Sequence, residues 1–258
     1  MKRIYQAFSF MVVVLYFACG SLAPGQTYEV DNSYKKWSRK YVEKILNDSP
    51  WVSVQEVRIR REGQAQRVAG APPSLLRDET NSVASGGSDI PIDFIFTLRM
   101  RSALPIREAL VRQKQLDAKY DSMDEKQKAA FDAGLKGFLG CPACAGNYVL
   151  TLSSKSKNSP GADAVYTTFK GARIEDIKRY IHLANERGER RELVHFVVPK
   201  VPGEEAVFFF PRLDDKGNQL FGADSKEAIV NLTNNEVSLS TNFRFDISKL
   251  VSNGQVLF

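Results

Sequence analysis

The clearest signal in this chain is a strict alternation over residues 90–101. Ile90, Ile92, Phe94, Phe96, Leu98 and Met100 share one parity, while Asp93, Thr97, Arg99 and Arg101 share the other. A period of two over that length predicts a strand with one buried and one wetted face. Upstream the period is helical: Tyr34, Trp37, Tyr41, Ile45 and Leu46 fall on one face. That spacing predicts a helix capped by Asn32 or Ser33 and stopped by Pro50, with Trp37 and Trp51 seating it on the core. Residues 52–61 read as a strand that changes phase, because Val52 and Val54 sit on one parity and Val57 and Ile59 on the other. A bulge near Glu56 would reconcile the two halves.

Two further helices follow the alternating strand. The first covers about residues 106–120, with Ile106, Ala109, Leu110 and Leu116 apolar. The second starts at Ser122, with Glu125 at capping-box spacing, and buries Ala130, Phe131, Leu135, Phe138 and Leu139. Gly140 is placed to end it. The remainder reads mainly as short strands, at 148–152, 165–169, 179–185, 193–198, 206–211, 228–233, 242–247 and 255–258, with turn-rich segments between them. Residues 174–181 also fit a short helix. Phe208, Phe209 and Phe210 form a continuous aromatic run, read as a central strand buried on both faces rather than as an apolar binding groove. Residues 62–89 carry almost no large apolar side chain beyond Leu75 and Leu76 and read as a mobile loop. The pattern predicts an α+β fold. An antiparallel β-rich domain, a sheet pair or sandwich, carries an N-terminal helix and a helical hairpin inserted at 104–140.

The first 26 residues change the picture of where this domain works. Lys2 and Arg3 precede an apolar run from Phe8 to Ala18 broken only by Ser9, and small residues follow through Gly25. That is the layout of a secretory signal peptide, too short to span a bilayer comfortably. Residues 27–258 are then a single exported domain, periplasmic, envelope-bound or extracellular. Leu15-Tyr16-Phe17-Ala18-Cys19 is an imperfect lipobox, which makes Cys19 a candidate lipid anchor; an uncleaved membrane anchor is a further reading. Removing Lys2 and Arg3 from the formal net charge of +6 leaves about +4. Arg187, Arg190 and Arg191 alternate with Glu186, Glu189 and Glu192, a mixed surface rather than the basic stripe of a nucleic-acid binder.

Cys141-Pro142-Ala143-Cys144 is the sharpest chemical motif. A redox-catalytic reading needs the first cysteine at a helix N-terminus, whereas here a helix ends and a strand follows. Haem attachment needs a histidine at position 145, which is Ala. A local disulfide fits an oxidising destination. No cofactor is expected; the alternative is a zinc site that would add the only two histidines, His182 and His195, to Cys141 and Cys144. It requires a hairpin turn centred on Gly188-Glu189, which sets His182 opposite position 195. A turn closing on Gly188 as a bulge pairs His182 with position 192 instead. No nucleophile elbow, phosphate loop or His-Glu-x-x-His pair is present. The acidic pairs Glu175-Asp176, Glu204-Glu205 and Asp214-Asp215 fall in predicted turns and read as solvated surface.

Lys36-Trp37-Ser38, Ile45-Leu46-Asn47-Asp48-Ser49-Pro50-Trp51, Ser102-Ala103-Leu104-Pro105-Ile106-Arg107-Glu108-Ala109 and Phe208-Phe209-Phe210-Pro211-Arg212, joined to the exported start, resemble a group of exported hypothetical proteins common in Acidobacteria. The resemblance implies a bacterial host and an envelope location, and carries over no functional residues. Three function classes remain. The leading one is a non-enzymatic binding or structural module with an envelope protein or ligand as partner. The others are a metal or thiol-redox protein built on Cys141 and Cys144, and an enzyme with a dispersed site.

Overall fold

The structure, a computed structural model, describes residues 32–59, 91–222, 224–234, 239–252 and 255–256. The segment read as a signal peptide, with Cys19, and residues 62–89, read as a mobile loop, lie outside the described residues. The chain divides into two compact units, Met1–Asn32 and Ser33–Phe258, and the fold is that of the second.

Two antiparallel sheets make up the framework. The larger contains β1 (Val52–Ile59), β2 (Ile92–Met100), β3 (Asn147–Ser156), β6 (His195–Val197) and β7 (Ala206–Pro211), in the order β1-β2-β3-β7-β6. The smaller contains β4 (Ile181–Asn185), β5 (Arg190–Glu192), β8 (Glu227–Asn234) and β9 (Leu239–Asp246), in the order β5-β4-β8-β9. A short β10–β11 pair (Val251–Ser252, Gln255–Val256) follows. The helices are α1 (Arg39–Asn47), α2 (Leu104–Asp117), α3 (Glu125–Gly140), α4 (Ala164–Phe169) and α5 (Ile174–Ile177). The fold is therefore α+β, with antiparallel β-rich sheets and a helical hairpin inserted between β2 and β3.

The alternation in β2 sets the core. Phe94, Phe96, Leu98 and Met100 are all buried, and register carries the same face onto Leu150 and Leu152 of β3 and then Phe208 and Ala206 of β7. Ile181, Leu183, Val230, Leu232, Phe243 and Phe245 of the smaller sheet belong to the same continuous core. The sheets also meet at one edge, where the Arg244 amide of β9 donates to Ser53 Oγ of β1 at 3.1 Å. Phe208 and Phe210 are fully buried, but Phe209 between them is half-buried on the opposite face. β7 thus alternates; the expectation of burial on both faces is corrected.

Several local expectations are revised. β1 has no bulge, since it pairs residue for residue with β2 from Val52↔Arg99 to Ile59↔Ile92. Regular pairing is kept by turning Ser53 inward, where its hydroxyl has a partner, and leaving Val54 43% exposed. α1 starts later than expected: Ser38, not Asn32 or Ser33, is the cap, accepting from the Tyr41 amide, while Asn32–Lys36 forms a 3-10 turn. α3 is capped by a reciprocal box of Asp124 and Gln127, and the Ser122 hydroxyl bonds back to Lys119 O. Phe131, Leu135, Phe138 and Leu139 are half-buried, none of α3 is fully buried, and Ala130 is exposed. The left-handed residue that ends α3 is Cys141 (φ 43°), not Gly140. Residues 165–169 are helix α4 rather than strand. Asp163 is the reason: its carboxylate accepts from the Tyr166 amide at 3.0 Å and nucleates the turn.

Phe208 packs against the rings of Phe169 and Phe196, at centroid distances of 5.6 and 5.3 Å, and those two rings also touch each other. Phe208→Ala should lower unfolding stability by about 3–5 kcal/mol, the range for a large aromatic removed from a close-packed core. Urea denaturation checks this; a loss under about 1 kcal/mol would contradict the shared core.

Candidate functional site

The two histidines do not come together. His182 lies in β4, opposite Glu192 of β5 and Asn231 of β8, so the hairpin closes on Gly188 (φ 83°). Its turn is held by Asn185, whose Oδ1 accepts from the amides of Arg187 and Glu189, both at 3.0 Å. His182 Nε2 stands 2.8 Å from Asn231 Nδ2, and burial, aided by the nearby Arg190 charge, pushes the imidazole's pKa down. The neutral ring then accepts the amide proton. His195 lies in β6 of the other sheet, with its ring 4.9 Å from Phe209. Cys141 and Cys144 are bonded to each other as a disulfide, Cα atoms 5.3 Å apart. With both thiols in that bond and the histidines on separate sheets, the proposed zinc ligand set is not assembled. Among the described residues no group of three or more His, Cys, Asp or Glu is placed to hold a metal ion.

What the fold does build is a cleft of about 400 Å³ where α4, α5 and the ends of β4 and β8 meet. The buried Phe169, Ile177, Ile181 and Leu232 lie at its base, while polar atoms make up most of its accessible lining. Its rim carries Thr168, Lys170, Arg179, Tyr180 and Thr233. The wall arises from a sharp chain reversal. α4 ends at Lys170, Gly171 takes a left-handed φ of 75°, and the Ala172 amide returns to Phe169 O at 3.0 Å. β8 closes the opposite side through the Thr233 amide, which donates to Tyr180 O at 3.1 Å.

The charges on this rim differ in how they are engaged. Asp176 accepts two bonds from the Arg173 guanidinium, at 3.1 and 3.2 Å, and these hold its carboxyl below the usual range. It is an ionised acceptor, unsuited to proton donation at neutral pH. Lys170 and Arg179 instead rest on aromatic faces, 5.6 Å from the Tyr166 centroid and 4.7 Å from the Tyr180 centroid. Neither forms an ion pair with any described residue. Both are exposed. A base of buried apolar side chains, two threonine hydroxyls and two cations held on aromatic rings suit reversible binding of a small anion.

Two other polar clusters serve the scaffold. Asp132 of α3 accepts from Lys35 Nζ (2.7 Å), Tyr120 OH (2.8 Å) and Gln115 Nε2 (3.1 Å), joining four segments. Burial pushes its pKa up, but these donors outweigh burial and hold it below the ordinary value. Arg99, facing outward from β2, donates to Leu46 O, Asn47 Oδ1, Ser153 Oγ and Glu205 Oε1. Glu205 is therefore an ion-pair partner, not solvated surface.

Sequence reading missed the cleft because 165–169 read as strand and 174–181 as undecided. Asp163 followed by an apolar run to Phe169 and then Lys170-Gly171 was the available signal, a cap at one end and a left-handed stop at the other. No family model, curated protein or solved structure matches this chain.

Asp132 supplies a pH test. Its folded pKa lies below the unfolded value of about 3.9, so its stabilisation is present above that pH and is lost as pH falls through the folded pKa. Asp132→Asn should be less stable than the parent at pH 7, with the gap closing as acid is added. Paired denaturant titrations measure it; a gap constant with pH would contradict the charged anchor.

Proposed function

We propose that this chain is an exported, non-catalytic binding module whose ligand seat is the cleft between α4, α5 and the ends of β4 and β8. Its ligand is a small hydroxylated anion of the sugar-acid type. The observation that carries the reading is the pair Lys170 and Arg179, exposed on the rim and free of ion pairs among the described residues, above a floor of Phe169, Ile177, Ile181 and Leu232. A carboxylate ligand would give Lys170 and Arg179 an ion-pair partner in addition to the aromatic rings they rest on. Thr168 and Thr233 offer hydroxyls to ligand hydroxyls, and the Tyr180 ring offers a face. The engaged, ionised Asp176 favours binding over acid–base chemistry at the same place.

Export is supported by the charged, apolar and small-residue layout of the first 26 residues and by the resemblance to exported proteins of Acidobacteria. The Cys141–Cys144 disulfide agrees with an oxidising compartment.

Calorimetric titration of the full chain with glucuronate tests the reading. Saturable binding is expected, weakening as salt rises, with Arg179→Ala and Lys170→Ala each reducing affinity by about tenfold. Glucose, lacking the carboxylate, should bind more weakly by a similar factor. Absence of glucuronate binding, or binding indifferent to both substitutions, would overturn the assignment.

A further inference from the structure

A second surface, remote in sequence from the cleft, carries different chemistry. Cys141 and Cys144 bracket a 3-10 turn, Pro142–Cys144, between the end of α3 and the start of β3. The two sulfur-bearing residues are unequal. Cys144 is 7% exposed, whereas Cys141 is half-buried and its neighbours Pro142 and Ala143 are open to solvent. Cys141 also holds a left-handed φ of 43°, a conformation that costs a side-chain-bearing residue about 1–2 kcal/mol. Backbone outliers of this kind persist only where the surroundings over-determine them, and they cluster at functional positions.

Electrostatics decide whether sulfur at this turn can carry negative charge. The C-terminal carbonyls of α3 place a negative potential there, which disfavours a thiolate. Two guanidiniums counter it. Arg107 Nη1 donates to Leu139 O at 2.5 Å, and Arg212 Nε donates to Cys144 O at 2.9 Å. Arg212 is held in place over the Tyr148 ring, 4.7 Å from its centroid. The pair is unequal in access: the half-buried Cys141, beside the exposed Pro142 and Ala143, is the sulfur an external thiol can reach, and the buried Cys144 is the sulfur that leaves.

We propose that Cys141–Cys144 is a thiol–disulfide exchange site that reacts with a small anionic thiol, entered at Cys141 with Cys144 as the leaving sulfur. The external thiolate attacks Cys141 Sγ. A new sulfur–sulfur bond forms there as the Cys141–Cys144 bond breaks, and the electron pair leaves on Cys144 Sγ, which takes a proton from solvent. A second external thiolate then attacks the mixed bond at the external sulfur. It releases Cys141 as a thiolate and yields the external disulfide. Two external thiols are oxidised and one protein disulfide is reduced; the reverse sequence reduces an external disulfide to two thiols and re-forms the Cys141–Cys144 bond.

The test uses the full folded chain and glutathione. Wild-type protein is incubated with reduced glutathione, quenched with an alkylating agent and mapped by peptide mass. The expected result is opening of the bond without denaturant and glutathione found on Cys141. In the single variants, Cys144→Ser should form the mixed disulfide with oxidised glutathione about tenfold faster than Cys141→Ser. A bond that opens only in denaturant would make the pair an inert staple, and glutathione mapped to Cys144 would reverse the proposed roles. Either result overturns the assignment, and the wild-type mapping stands even if a variant fails to fold.

Discussion

The constraint on which everything else depends is the need to cover the apolar face that β2 begins. Phe94, Phe96, Leu98 and Met100 cannot be satisfied by one sheet, because β3 and β7 continue the same apolar surface instead of covering it. Leu183, Val230, Phe243 and Phe245 of the smaller sheet share one buried cluster with that face, together with Ile106 of α2 and Val165 and Phe169 of α4. Each fully buried large side chain contributes about 1.5–3 kcal/mol of transfer free energy, so the joint burial outweighs any single polar contact in the molecule. The seam at Ser53 and Arg244 follows from it: once the faces meet, the β1 and β9 edges lie close enough to bond.

The outer face of the larger sheet is organised by a different force. Arg99 emerges between β1 and β3 and uses its fork to bind Leu46 O and Asn47 Oδ1 at the end of α1 together with Glu205 and Ser153. A cation at a helix C-terminus complements the macrodipole, and the carboxylate of Glu205 offsets the burial of the guanidinium, whose pKa is drawn down mainly by desolvation. α3, with no fully buried residue, is held chiefly through Asp132 and the Arg101–Phe138 contact at 4.1 Å. Both surface sites occur where regular structure ends: the cleft where α4 reverses at Gly171, and the disulfide turn where α3 ends at Cys141.

How much of this was legible in the sequence depended on which force shaped each element. β2 was legible because one side of the sheet is apolar and the other polar, and period two reports that directly. α2 was legible as a helix but not in its packing, since Arg107, Arg112 and Gln115 are buried by virtue of specific partners such as Asp121 and Asp132. α4 was misread because a six-residue apolar run has no period of its own, and only the Asp163 cap distinguishes helix from strand. β5 went unseen because Arg190, Arg191 and Glu192 look like surface, although Arg191 is buried and donates to Asn218 O. The disulfide pairing was legible from spacing, whereas the fate of the histidines turned on a one-residue choice at Gly188 that composition does not decide.

The two sheets share one core and should therefore open together. Native-state amide hydrogen exchange, resolved by residue across β2, β3, β7, β4 and β8, addresses it most directly. The account predicts that the slowest amides of both sheets exchange with a common free energy equal to that of global unfolding. Protection of β4 and β8 that is lost at distinctly lower free energy than that of β2 and β3 would contradict it.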